Sequence, residues 1–264
     1  MNIITFSASK GGVGKTTLSF NYGSWLASKG YKVILVDTDY QANLSSTFNI
    51  FTNENTLFNV FTDGNVEIRK INDNLSILPG APTLDKLEVI LQSKINREFL
   101  MMMWMQDHAD MFEEFDFMIV DTHPEFGTLT KNMIAISDHV LVPLEPSEYG
   151  FTQSKNQYDI RMDEFKKEAV DLKTRTSLID AKVHYIASRV KHNTASSHAF
   201  EESIKTIPGF IANIPEREVF NTSTLEKKPI FELNHQNTQS NINLFNTIET
   251  QFNNILKATQ EENS

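Results

Sequence analysis

Short unbroken apolar runs punctuate this chain, and longer stretches with apolar residues three or four apart separate them. The runs fall at residues 3–7, 32–36, 75–78, 117–120, 139–142 and 183–187, with a further one at 210–214. A run without polar alternation is what a strand buried on both faces requires. Between the first two runs, residues 15–28 place Leu18, Tyr22, Trp25 and Leu26 on one helical face. Gly30 follows as a stop, since glycine accepts the left-handed cap conformation. Residues 84–108, 129–136, 151–170 and 195–206 carry helical spacing too. Strands alternating with helices predict an α/β fold, a mostly parallel twisted sheet with helices on both faces.

The tail is rich in asparagine from Asn234 to Asn254, yet Ile242, Phe245, Ile248, Phe252, Ile255 and Leu256 recur in it at helical spacing. This predicts a C-terminal helix over about 236–258 that docks on the body with its asparagines wet. Met101-Met102-Met103-Trp104-Met105 invites a reading as a soft ligand cluster, but its helical setting makes it core packing. No internal repeat, proline-rich linker or charge block divides the 264 residues, which are read as one domain.

Composition narrows the chemistry. The absence of cysteine removes disulfide scaffolds, thiolate zinc sites, iron–sulfur ligation and thiol catalysis, and fits a reducing compartment. No run of about 18 apolar residues is present, so no membrane-spanning helix is expected. The N-terminus lacks the basic region and cleavage site of a signal peptide, and a cytoplasmic location is expected. A formal net charge of −10 repels nucleic acid and anionic lipid on average, so binding to either needs a local patch.

Chemistry concentrates after the first run, in Ser9-Lys10-Gly11-Gly12-Val13-Gly14-Lys15-Thr16-Thr17. Glycines let backbone N–H groups approach phosphate oxygens without a Cβ in the way, and the following helix adds its positive end. Lys15 suits the β- and γ-phosphates and the Thr16 hydroxyl suits Mg²⁺. The strict phosphate-loop pattern needs glycine where Ser9 stands, so the ordinary motif fails by one residue. Two further runs end in acid: Asp37-Thr38-Asp39 after the second, and Asp121-Thr122 after residues 117–120. Aspartates at strand ends either cap the next turn or face the ligand crevice of an open α/β sheet. Beside a phosphate loop, three of them favour the crevice.

The segments SKGGVGKTT, VILVDTDYQAN and FDFMIVDTHPEFGTLTKNMIAISDHVLVPLEPSEYG together resemble the ParA/MinD group of deviant Walker ATPases, closest to its DNA-partition branch. The likeness is strong over residues 1–150 and weaker beyond, through Ile214-Pro215 and Lys228-Pro229. It implies a P-loop NTPase-like fold, ATP and Mg²⁺ as cofactors, and ATP hydrolysis that is slow without a partner. By position, Lys10 matches the signature lysine that reaches a partner's phosphates across an ATP-bound homodimer. A charge supplied in trans in this way is worth roughly 10³–10⁵ in rate. Gly11, Gly12, Val13, Gly14, Lys15, Thr16 and Thr17 match the phosphate loop, with Thr17 at the α-phosphate. Asp39 matches the residue that positions the attacking water, while Thr16, Asp37 and Asp121 match the Mg²⁺ site, the aspartates acting mainly through its water shell. Adenine recognition corresponds loosely to Ser188-Arg189 and Ile214-Pro215-Glu216. Two departures flank the catalytic aspartates: Tyr40 stands where the family has proline, and His123 where it has proline or a small residue. His123 reads as packing or as a hydrogen-bonding neighbour rather than a base.

The resemblance implies a homodimer that holds nonspecific DNA on the nucleoid when ATP is bound and is released by a centromere-binding ParB-type adaptor. Arg189, Lys191, Lys205, Arg217, Lys227 and Lys228 are candidate DNA contacts, with a solvated surface as the competing reading. The chain starts directly on its first strand, which matches the small type without a helix-turn-helix domain. A MinD-like membrane role needs a basic amphipathic tail, and this tail carries Lys257 against Glu249, Glu261 and Glu262. An ATPase that positions a protein cargo stays open as the alternative. A nitrogenase-iron-protein role lacks its cysteines, and biotin-pathway ligases fit Lys10 and the Asp37/Asp39 pair less well.

Overall fold

The computed structural model describes residues 1–146, 151–190, 195–233 and 238–260. The strands are β1 (Asn2–Phe6), β2 (Val33–Asp37), β3 (Arg69–Lys70), β4 (Leu75–Leu78), β5 (Phe117–Asp121), β6 (His139–Leu144), β7 (Lys182–Val190) and β8 (Phe210–Pro215). They form one sheet in the order β3-β4-β2-β5-β1-β6-β7-β8. Every pairing is parallel except β3 with β4. The expected α/β architecture is therefore present, and each apolar run became a strand with its ends shifted by a few residues at most. β3 escaped the sequence reading because two charged residues on a sheet edge leave no apolar signal.

Helices cover both faces. They are α1 (Lys15–Ser28), α2 (Asn43–Thr47), α3 (Leu57–Val60), α4 (Leu87–Gln92), α5 (Leu100–Asp107), α6 (Thr128–Ile136), α7 (Phe151–Glu168), α8 (Ala195–Lys205), α9 (Glu218–Glu226) and α10 (Gln239–Gln260). Alternation along each strand sorts the core. Val33, Leu35, Phe117 and Ile119 pack toward α1 and α10, whereas Ile34, Val36, Met118 and Val120 pack toward α3, α4, α5 and α6. A third cluster joins β6 and β7 to α7. Both faces of the central strands are covered, which is why their runs are uninterrupted.

α1 is buried almost all round, because the sheet lies on one side and the C-terminal helix on the other. Leu18, Tyr22, Trp25 and Leu26 are all buried as expected. Tyr22 and Trp25 meet the Phe252 ring at 5.4 and 5.7 Å between centroids. The Asn21 side chain accepts from the Ser223 hydroxyl and from the Ile230 amide, so the helix also anchors the segment after β8. Gly30 takes φ +95, the conformation expected of the stop. In α10, Ile248, Phe252 and Ile255 are buried and Phe245 and Leu256 half-buried, while Ile242 is exposed. Residues 236 and 237 of the expected tail helix lie outside the described residues.

One expectation is corrected. Residues 84–108 are not one helix: a 3₁₀ turn (Pro82–Lys86) leads into α4, and residues 93–99 separate α4 from α5. Asn96 sits at φ +54, which an L-residue in a right-handed helix cannot hold. The Asn132 side chain then fixes the break, donating to the Arg97 carbonyl and accepting from the Met101 amide. The methionine run packs as expected, with Met101 and Trp104 buried and only Met103 largely exposed. Among the described residues no helix is long and apolar enough to cross a membrane.

Candidate nucleotide site

Sheet order sets the site. β5 lies between β2 and β1, so the carboxyl ends of three strands meet, with Asp121 in register with Asp37 on one side and Phe6 on the other. The loop after β1 turns at this rim into α1. Gly14 is the helix N-cap at φ +90, a conformation that a side chain would strain. It offers no side-chain cap, so the first amides of α1 point at the rim unclaimed by a side chain at the N-cap. The loop is braced from β7, where the pairing with β8 is irregular and Arg189 takes φ +56. From this bulge Ser188 donates to the Val13 carbonyl (2.8 Å) and Arg189 to the Gly12 carbonyl (2.6 Å) and to Glu145 (3.4 Å).

The two strand-end aspartates have different partners. Asp37 accepts from the Ser45 amide and hydroxyl (2.8 and 2.7 Å) and from the Asp39 amide (3.2 Å). Ser45 in turn accepts from the Gly80 amide at the end of β4. A Cβ on Gly80 would come within 2.9 Å of the Asp37 carboxyl carbon, so this approach needs glycine. Asp121 accepts from the Ser19 hydroxyl at 3.5 Å and interacts with the Thr16 hydroxyl, while its Oδ2 is buried without a hydrogen-bond partner. Burial pushes Asp37 up to about 6. Burial, and then the neighbouring Asp37, pushes Asp121 up to about 8. Lys15 is 7% exposed, and burial lowers its pKa against the pull of Asp121 and Asp39. A pair of buried carboxylates, one short of donors, beside a threonine hydroxyl suits a hard divalent cation with oxygen ligands.

A cleft of about 410 Å³ runs from Asp39 across the start of α1 to β8, with the fully buried Asp37 and Asp121 outside its lining. Its walls include Gly11, Gly12, Gly14, Lys15, Thr16, Thr17, Asp39, Ser188 and Pro215, which brings the expected phosphate, water-positioning and base-contacting residues to one cavity. Val13 is buried behind the loop instead. Lys10 is exposed and lies outside the cleft, in a shallow recess beside Glu145. Sequence reasoning missed Asn43, Pro124, Phe220 and Asn221 as lining, along with Ser45 and Gly80 behind Asp37. Only Gly80, directly after a predicted strand, left a readable signal. The candidate DNA cations scatter: Arg189 and Arg217 line the nucleotide cleft, Lys205 pairs with Glu202, and Lys227 donates to Asn49. Lys191 lies outside the described residues, as do Glu261 and Glu262 of the tail.

Comparison with known proteins finds relatives for both the sequence and the fold. A family model described as an AAA domain matches residues 1–174. A chromosome partitioning protein ParA of Myxococcus xanthus is 33% identical over 169 residues, which cover 60% of this chain and 58% of that protein. An uncharacterized protein of Methanocaldococcus jannaschii is 26% identical and aligns over 91% of this chain and 94% of its own length. Among solved structures, a putative plasmid partition protein of Borrelia burgdorferi bound to AMPPNP superposes with a TM-score of 0.76 at 24% identity, covering 97% of both chains.

Proposed function

The chain belongs to the ParA/MinD family of P-loop ATPases, on its ParA-like side, and from that membership we propose that it is a Mg²⁺-dependent ATPase that partitions DNA. The observation that carries the reading is the acidic cluster at the cleft: Lys15, Thr16 and Asp39 line it, and the buried Asp37 and Asp121 lie beside them. The loop amides and Lys15 hold the phosphates. Thr16, Asp37 and Asp121 hold the cation, which neutralises charge on the phosphates when bound. The orphaned Asp121 oxygen is the group such a cation would satisfy. Asp39, whose Oδ1 accepts from the Gln41 amide at 2.9 Å, orients the attacking water. The base lies toward Pro215, Arg217 and Phe220. Lys10 is exposed and does not line its own cleft, which suits a lysine that serves the nucleotide of a second copy.

The partition role rests on the relatives, some of which are partition proteins. In this reading the ATP-bound dimer holds nonspecific DNA, and an adaptor bound to the centromere triggers hydrolysis and release. Of the cations named from the sequence, Arg189 and Arg217 line the nucleotide cleft and Lys205 and Lys227 have partners of their own, so we place the DNA-holding face on the dimer. The test is retention of duplex DNA by the Asp39→Ala protein at low salt, with ATP, with ADP and without nucleotide. Retention with ATP alone, lost as salt rises, is expected. No retention in any state overturns the DNA role and directs the search to a protein cargo.

A further inference from the structure

Asp39 begins a tight turn. The Ala42 amide donates to the Asp39 carbonyl (2.8 Å), the Gln41 amide to the Asp39 carboxylate, and Ala42 takes φ +48. Tyr40 therefore sits at the tip of the turn that aims the Asp39 carboxylate. The ladder between β2 and β5 ends at Asp37 and Asp121, and Thr38 extends it by one step, its amide and hydroxyl both donating to the Asp121 carbonyl. Past Thr38 the contact between the two loops is made by rings. Tyr40 and His123 lie 4.5 Å apart between centroids and tilted by 33°.

The His123 side is firmly held. Thr122 before it donates its hydroxyl to the Phe6 carbonyl of β1 (2.9 Å), and Pro124 after it lines the nucleotide cleft. Neither Tyr40 nor His123 lines that cleft. Both line a second cavity of about 290 Å³ on the far side, with Leu84, Leu129 and Glu88 among its other walls. A ring outside the cleft acts on the nucleotide through a neighbour, and the neighbour in chain is Asp39.

We propose that Tyr40 and His123 form a ring clamp that fixes the Asp39 turn against the loop of Asp121, making them positioning residues for ATP hydrolysis. The proposal rests on the hydrolysis reading above. The clamp sets where the Asp39 carboxylate points, and a small misplacement of a water-orienting group lowers turnover without loosening the phosphates. It also gives a physical role to the two positions at which the sequence departs from its family.

The test is steady-state and single-turnover ATP hydrolysis by the full chain, with nucleotide affinity measured by titration of a fluorescent ATP analogue. Tyr40→Leu and His123→Ala are each expected to lower kcat about three- to tenfold, with KM for ATP held within about twofold. Tyr40→Phe and His123→Phe keep the ring contact and should retain kcat. The double variant Tyr40→Leu/His123→Ala should fall no further than the worse single one. Unchanged kcat in either ring-removing variant overturns the clamp. So does an equal loss in Tyr40→Phe, a rise in KM that matches the fall in kcat, or additive losses in the double variant. Wild-type protein that fails to hydrolyse ATP overturns the hydrolysis reading and the clamp together; active wild type with unaffected variants overturns the clamp alone.

Discussion

A carboxyl group buried away from solvent, with a second carboxylate beside it, keeps its proton. Asp121 is in that position, pushed up to about 8 from an ordinary 3.8. The folded chain then holds a proton that the unfolded chain has released over the interval between those values. Stability falls as pH rises through it. Metal-free protein is expected to lose roughly 5 °C or more in Tm between pH 6 and pH 8. Asp121→Asn should flatten that slope, and Mg²⁺ with ATP should oppose it by stabilising the charged form. A wild-type Tm that is flat over this range and unchanged by Asp121→Asn contradicts the assignment. Two further residues separate binding from chemistry. Lys15→Ala removes the buried ammonium from the phosphate end and should weaken ATP binding about 100-fold or more, read by calorimetric titration. Asp39→Ala leaves the phosphate loop intact, so ATP binding should persist while phosphate release stops.

At the scale of elements, the site depends on how α1 is held. Its N-terminus presents the amides, and its body is clamped between the sheet and α10 through Tyr22, Trp25 and Phe252. Phe252 is fully buried, and Phe252→Ala should cost about 3–5 kcal/mol in urea unfolding by leaving a cavity beside α1. A loss below about 1 kcal/mol would mean that α10 is dispensable to the body. The break between α4 and α5 shows where periodicity misleads. Apolar spacing continues through residues 84–108, but Asn96 and the capping side chain of Asn132 interrupt the backbone. A hydrophobic pattern reports which faces are buried, not whether the hydrogen-bond ladder behind them is continuous.

For the whole molecule, the question is what a second copy adds. Lys10 is exposed and outside its own cleft, a placement consistent with the proposed role toward a second copy. Lys10→Ala is expected to bind ATP normally as a monomer. It should lose the ATP-dependent rise in mass seen by light scattering, along with about 10³-fold or more of hydrolysis. A Lys10→Ala protein that dimerises and hydrolyses normally would sink the model of two chains sharing their nucleotides.

The strands other than β3, the phosphate loop and the aspartates at strand ends were determined by the sequence alone. Strands covered on both faces leave continuous apolar runs, and the phosphate loop is a local device whose glycines, lysine and threonine lie within nine residues. Tertiary structure decided the rest. The pairing of β5 with both β1 and β2 brings Asp121 into register with Asp37, residues 84 positions apart that no local pattern links. The same pairing creates the burial that raises their pKa values and lets Ser45 and Gly80 close on Asp37. Arg217, placed with DNA by its charge, lines the nucleotide cleft because β8 ends beside α1. The contact of the Tyr40 ring with His123 arises in the same way, since only the folded sheet brings the two strand-end loops together. Strand formation is written in nearest neighbours along the chain; strand order and depth of burial depend on contacts between distant segments, and those set the electrostatics of the site.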